Sequence, residues 1–79
     1  MSNRPVSSHD LGVIRGQIVE AWARGYTALE VIVSSRRIQA GEGLRVFGLP
    51  VRLNDDLGLN EGALLVSGGR PPISFDFET

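Results

Sequence analysis

Seventy-nine residues, 42% of them hydrophobic and 22% charged, suffice for one folded domain around one core and are too few for two. The absence of cysteine excludes a disulfide framework and a thiolate metal site, so a chain this short has association with itself or a partner as its remaining source of added stability. A net charge of −1 argues against a general nucleic-acid binder, although residues 1–52 carry seven arginines against four acids and residues 53–79 one against five. Those halves either mix into an even surface or form poles that steer head-to-tail contact.

No stretch approaches the roughly 18–20 apolar residues of a membrane span, and residues 1–5 lack the apolar run of a secretory signal, so a cytoplasmic protein with no membrane partner is expected. Residues 1–6 read as a flexible lead-in to a single domain over 1–79. All eight basic residues are arginine, a usage typical of GC-rich coding sequence, which points to a bacterium or its phage.

Ser7 followed by Asp10 approximates a capping box, and a helix is predicted over 8–25. Leu11, Ile14, Ile18, Ala21 and Trp22 recur at helical spacing and form its apolar stripe. Glu20 and Arg24 stand in favourable i,i+4 order, and Gly25 is placed to stop the helix. Gly12 and Gly16 each weaken the helix by about 1 kcal/mol, so it needs a sheet to pack on. Their spacing suits either a close backbone approach or two tolerated weak positions, of which the second is the simpler.

Residues 27–33 read as a central strand, with Leu29, Val31 and Val33 on one face and Ile32 on the other. A polar segment at 34–40, a loop or one serine-capped helical turn, ends at Gly41-Glu42-Gly43. Over 44–53 the apolar positions change parity: Leu44 and Val46 share one face, whereas Phe47, Leu49, Val51 and Leu53 share the other. The switch demands either a β-bulge at Phe47-Gly48 or a hairpin turn at Gly48-Leu49-Pro50. Turn chemistry at 54–58 and 60–62 leads to a short buried strand at 63–66, and Gly68-Gly69 breaks the chain again. The tail 73–78 alternates apolar with polar and reads as a half-buried strand. The expected fold is α+β: one N-terminal amphipathic helix packed on a mostly antiparallel sheet of four or five short strands.

Candidate chemistry is sparse, with one histidine and neither cysteine nor lysine. His9 beside Asp10 lacks a serine nucleophile in any recognisable context and reads as an exposed helix-cap residue. Asp55-Asp56 with Glu61 lacks the alternating ligands of a calcium loop and reads as an acidic turn. The glycine pairs match no phosphate-binding loop. A small hydrolase or nuclease resting on these residues therefore ranks last, and no catalytic residue, metal or cofactor is assigned.

The candidate partner-binding residues are Arg36, Arg37, Trp22, Phe75 and Phe77. Arg36-Arg37 follows a strand and suits carboxylate or phosphate, although an ordinary exposed pair is the plainer reading. Trp22 falls on the apolar stripe and reads first as a core anchor and second as a binding hot spot. Phe75 and Phe77 either cover this domain's own core, the favoured reading, or add a strand to another chain.

The succession of residues 30–33, Ser34-Ser35, 46–51 and 61–66 resembles the axial-domain strands of tailed-phage major capsid proteins of the HK97 type, in which a strand ending in a polar turn precedes a G-x-P-V strand and a small-apolar strand. The likeness covers residues 29–69. This chain is several times shorter than those proteins, with no space for their extended arm, long loop and spine helix. The resemblance implies a phage-linked accessory domain and carries over no functional residue. The function expected from the sequence is a small non-enzymatic interaction or structural protein that self-associates or binds a protein partner. The alternative is a nucleic-acid-binding regulator whose patch is Arg15, Arg24, Arg36, Arg37 and Arg45.

Overall fold

A computed structural model describes residues 6–39 and 43–78. Helix α1 (Ser8–Ala23) precedes five strands: β1 (Ala28–Val33), β2 (Arg45–Val46), β3 (Leu49–Leu53), β4 (Glu61–Val66) and β5 (Ile73–Asp76). They form one sheet in the order β2-β3-β1-β4-β5, parallel between β1 and β3 and antiparallel elsewhere, which is the expected α+β arrangement. Residues 1–5 and the Gly41-Glu42 part of the expected glycine turn lie outside the described residues. Val6, expected in a flexible lead-in, is instead buried in the core.

Ser7 caps α1 by accepting from the Asp10 N–H at 3.2 Å, but the reciprocal half of the capping box is absent because the Asp10 carboxylate is turned to Arg37. Gly25, at φ +88°, lets the chain leave the helix. Glu20 and Arg24 pair at 2.8 Å as expected. No atom outside the helix approaches Gly12 or Gly16 within 4 Å of where a Cβ would stand, so these glycines serve no close contact. The helix ends two residues short of the expected 25.

Ile14 and Ala21 of α1 bury against Val31, Val33, Leu64 and Val66 of the central strands. Trp22 does not join them: it is 76% exposed, and the core-anchor reading fails. The reason is angular, since eight residues on from Ile14 the side chain has rotated by about 80° about the helix axis. Leu29 is a second correction. Ala28 pairs with Val66 and Glu30 with Leu65, so Leu29 is the extra residue of a β-bulge. The bulge returns Ala28 to the core side and leaves Leu29 exposed.

The parity change over 44–53 resolves as a hairpin. Val46 pairs with Leu49, which makes Phe47-Gly48 a two-residue turn rather than the bulge, and places the turn one residue earlier than Gly48-Leu49-Pro50. The tail alternates as read: Phe75 and Phe77 are buried, edge to face at 5.1 Å. They cover this domain's own core, while β5 pairs only with β4 and forms one edge of the sheet. Gly62 makes that packing possible, because a Cβ there would stand 2.5 Å from the Phe75 ring.

Segment 34–39 forms one helical turn, with Arg37 and Ile38 N–H donating to the Ser34 carbonyl and Arg36 N–H to the Ser34 hydroxyl. The turn delivers Ile38 to the core and Arg37 to the helix. Arg37, expected in an exposed pair, is only 12% exposed. Its Nε and Nη2 donate to the two Asp10 oxygens at 2.9 and 2.7 Å, Nη2 also to Glu78 at 2.9 Å, and Nη1 to Asn60 at 2.8 Å. The guanidinium lies 4.6 Å from the Phe77 ring centre. These carboxylates, Asp10 foremost, raise the affinity of Arg37 for its proton further and keep it charged.

Two stability outcomes follow. Replacing Arg37→Ala strands the buried Asp10 charge and lowers unfolding free energy by about 3–5 kcal/mol in a urea titration, and Arg37→Lys, lacking the planar fork, recovers only part of it. Gly62→Ala costs about 1–3 kcal/mol in the same titration, because the Phe75 ring must move.

Candidate functional site: an aromatic groove

Strand β1 starts at the end of the sheet where α1 finishes, and β3, parallel to it, starts there too. The C-terminal half of α1 and the β2–β3 hairpin therefore flank one opening. Ile18, Val19, Trp22, Tyr26, Phe47 and Leu49 line a groove of about 310 Å³ between them, and the start of β1 forms its floor. Val19, Trp22 and Phe47 are each more than half exposed. Such a cluster of large apolar side chains at one place is uncommon on a soluble surface and marks contact sites.

Phe47 adds a second observation. Its φ is +52° and that of Gly48 is +79°, the pair of positive values that a type I′ hairpin requires. Asparagine, aspartate or glycine ordinarily occupies the first of these positions, and a phenylalanine there is strained by about 1–2 kcal/mol. The ring is also 54% exposed, so its own burial does little to offset that strain. Strain without folding benefit is found where a side chain is held for a partner.

The rim of the groove is basic. Arg70 lies over the Tyr26 ring, 5.0 Å from its centre, and its Nη1 donates to the Tyr26 hydroxyl. Arg45 Nη1 donates to the Gly48 carbonyl at 3.1 Å and so braces the turn that carries Phe47. Arg15 stands one helical turn before Val19 and two before Trp22, on the same stripe. Among the described residues neither Arg15 nor Arg70 has a carboxylate within salt-bridge distance.

The other sequence candidates lie elsewhere. Arg36 and Arg37 are at the far end of β1, where Arg36 donates to the Leu57 carbonyl at 3.3 Å. Of the five arginines considered for a nucleic-acid patch, Arg37 is engaged by Asp10 and Glu78, Arg24 by Glu20, and Arg36 follows the end of β1 while Arg45 lies on β2, two strands away. His9 Nε2 donates to the Phe77 carbonyl at 2.6 Å, which places its proton on that nitrogen and ties helix to tail. Asp55 accepts from the hydroxyl and the N–H of Ser35, in that order of effect, and both hold its carboxyl below the usual aspartate range. Glu61 accepts from the Gly58 N–H at 3.1 Å, so the acidic loop is bound to its own turns. Among the described residues no three His, Cys, Asp or Glu side chains gather as a metal would need, and no helix is long and apolar enough to cross a membrane.

Sequence reasoning named Trp22 but missed Val19, Tyr26 and Phe47. The parity switch at Phe47 was the available signal. Comparison with known protein families, curated proteins and solved structures finds no match.

Strain at the hairpin tip gives a direct test. Phe47→Asn holds or raises the urea midpoint, gaining up to about 1 kcal/mol, whereas the β-branched Phe47→Val lowers stability by about 1–2 kcal/mol. Equal effects from the two would show that the turn imposes no conformational cost.

Proposed function

We propose that this chain is a small non-enzymatic interaction protein that binds a protein partner, its own copies included, through the groove between α1 and the β2–β3 hairpin. The observation that carries the proposal is the coincidence of an exposed Trp22 and a strained, exposed Phe47 on the two walls of one opening. Tryptophan and other large aromatics dominate the energetics of protein contacts, and arginine rims them with charge-assisted donors. The scarcity of proton-transfer groups supports a binding role over a catalytic one, because the single histidine is spent on a backbone carbonyl.

A bacterial or phage cytoplasm as the setting belongs to the same proposal, supported by the arginine-only basic composition and by the likeness of residues 29–69 to capsid strands. No specific observation favours the nucleic-acid reading, since the arginines it needs are divided between the two ends of the sheet.

Trp22→Ala separates binding from folding. Because the side chain is exposed, the variant keeps its urea midpoint within about 0.5 kcal/mol of the parent. Binding of a protein ligand, read by capture on the immobilised chain or by the blue shift of the single tryptophan in the parent, falls at least tenfold in capture by the variant. Undiminished capture by a folded Trp22→Ala chain would remove the groove from the function.

A further inference from the structure

The ends of the sheet differ in charge as well as in shape. Around the groove stand Arg15, Arg45 and Arg70, whereas Arg24 lies on the opposite flank of α1 beside Ile73 and is paired with Glu20, and Glu30, level with Arg45 in the sheet, is paired with Arg52. The far end gathers the C-termini of β1, β3 and β5 with the N-terminus of α1. Asp10, Asp55, Asp56, Glu61, Asp76 and Glu78 lie there against Arg36 and Arg37, six anions to two cations. Basic side chains therefore predominate around the groove and acidic ones at the far end of the strands.

The acidic pole carries a projecting apolar residue. Leu59, 49% exposed, sits in loop 54–60 between Asp55-Asp56 and Glu61. The loop is rigid. Asn54 Oδ1 accepts from the Asp56 N–H, Glu61 Oε1 from the Gly58 N–H, and Asp55 Oδ1 from Ser35, while the Leu59 carbonyl and Asn60 side chain face Arg37. A preorganised apolar knob ringed by carboxylates matches an apolar groove ringed by arginines. The knob does not meet its own groove, because the loop joins the end of β3 to the start of β4 whereas the groove opens at the start of β1 and β3.

We propose that the groove receives loop 54–60 of a second copy of this chain, with Leu59 seated between Trp22 and Phe47 and the loop's carboxylates facing the arginine rim. The proposal rests on the reading of the groove as a protein-binding site and names its occupant. The contact is heterologous: each copy uses one surface to receive and a different one to insert, so copies join head to tail into a ring or a filament. Opposed poles draw the copies together and salt weakens them.

Two variants of the full chain test this, each altering an exposed side chain at one pole. Trp22→Ala disables the groove and keeps the knob; Leu59→Asp disables the knob and keeps the groove. Analytical ultracentrifugation should show that the parent associates with rising concentration, with an association constant at least about tenfold lower at 0.5 M than at about 0.05 M salt. Each variant alone should sediment as a monomer, and an equimolar mixture should give a one-to-one complex that grows no further. A mixture that stays monomeric, or a Leu59→Asp chain that associates like the parent, overturns the head-to-tail contact. A parent that remains monomeric while its Trp22-dependent capture of another protein persists also overturns it, and leaves the groove a site for a different partner.

Discussion

The guanidinium of Arg37 holds four separate stretches of chain at one point: Asp10 on the first turn of α1, Asn60 before β4, Phe77 and Glu78 after β5, and its own helical turn after β1. Burying a charge pair costs several kcal/mol per ion, and the attraction repays that only when geometry is good and the donors are satisfied. Here the carboxylate of Asp10 is gripped by two parallel bonds, the remaining donors reach Glu78 and Asn60, and an aromatic face closes one side. Removing either Asp10 or Arg37 would leave the other's charge buried without its main partner. In a chain without disulfides this cluster performs the tying that a cross-link performs in other small domains.

With one end of the sheet closed in this way, the other is left open. A helix pinned near its first turn at Asp10 reaches about 21 Å beyond that point, close to the roughly 20 Å of a six-residue strand, so its last turn stands at the edge of the sheet. That turn brings Ala21 onto the core and turns the next residue, Trp22, about 100° away from it. The β2–β3 hairpin, only two residues on the β2 side, is too short to fold over that turn and stands opposite it. The groove between them is thus a geometric consequence of where the helix is pinned, and the residue types that line it determine what it can hold.

Much of this was legible in the sequence. Ser7, Asp10 and Gly25 marked the helix because capping is local, and the tail announced its strand because period-two alternation is local too. The failures came where one residue breaks a period. Leu29 keeps perfect alternation in sequence and loses it to a bulge set by the partner strand β4, and Trp22 keeps helical spacing from Ile18 while its angle round the helix turns it away from the core that Ala21 reaches. Arg37 gave no signal at all, since its partners lie 27, 23 and 41 residues away and nothing in an Arg-Arg pair shows that one member is buried. The parity switch at Phe47 was visible, but its meaning depended on a turn type that phenylalanine rarely adopts.

That rarity is what the proposed reading of the opening rests on. A packing defect would be expected to lose local preferences at random positions, whereas here three departures converge on one end: a bulge that ejects Leu29, a helix stripe that turns Trp22 outward, and a left-handed Phe47. Asparagine at 47 would relieve the turn and a polar residue at 22 would suit its exposure, so stability alone favours neither aromatic. The polar end shows the opposite economy, with Asp55, Glu61 and His9 each fastened to a backbone or hydroxyl group nearby. A chain that satisfies its polar groups at one pole and leaves its largest side chain bare at the other presents its exposed aromatic surface in the groove, which is the surface the proposed contact would cover.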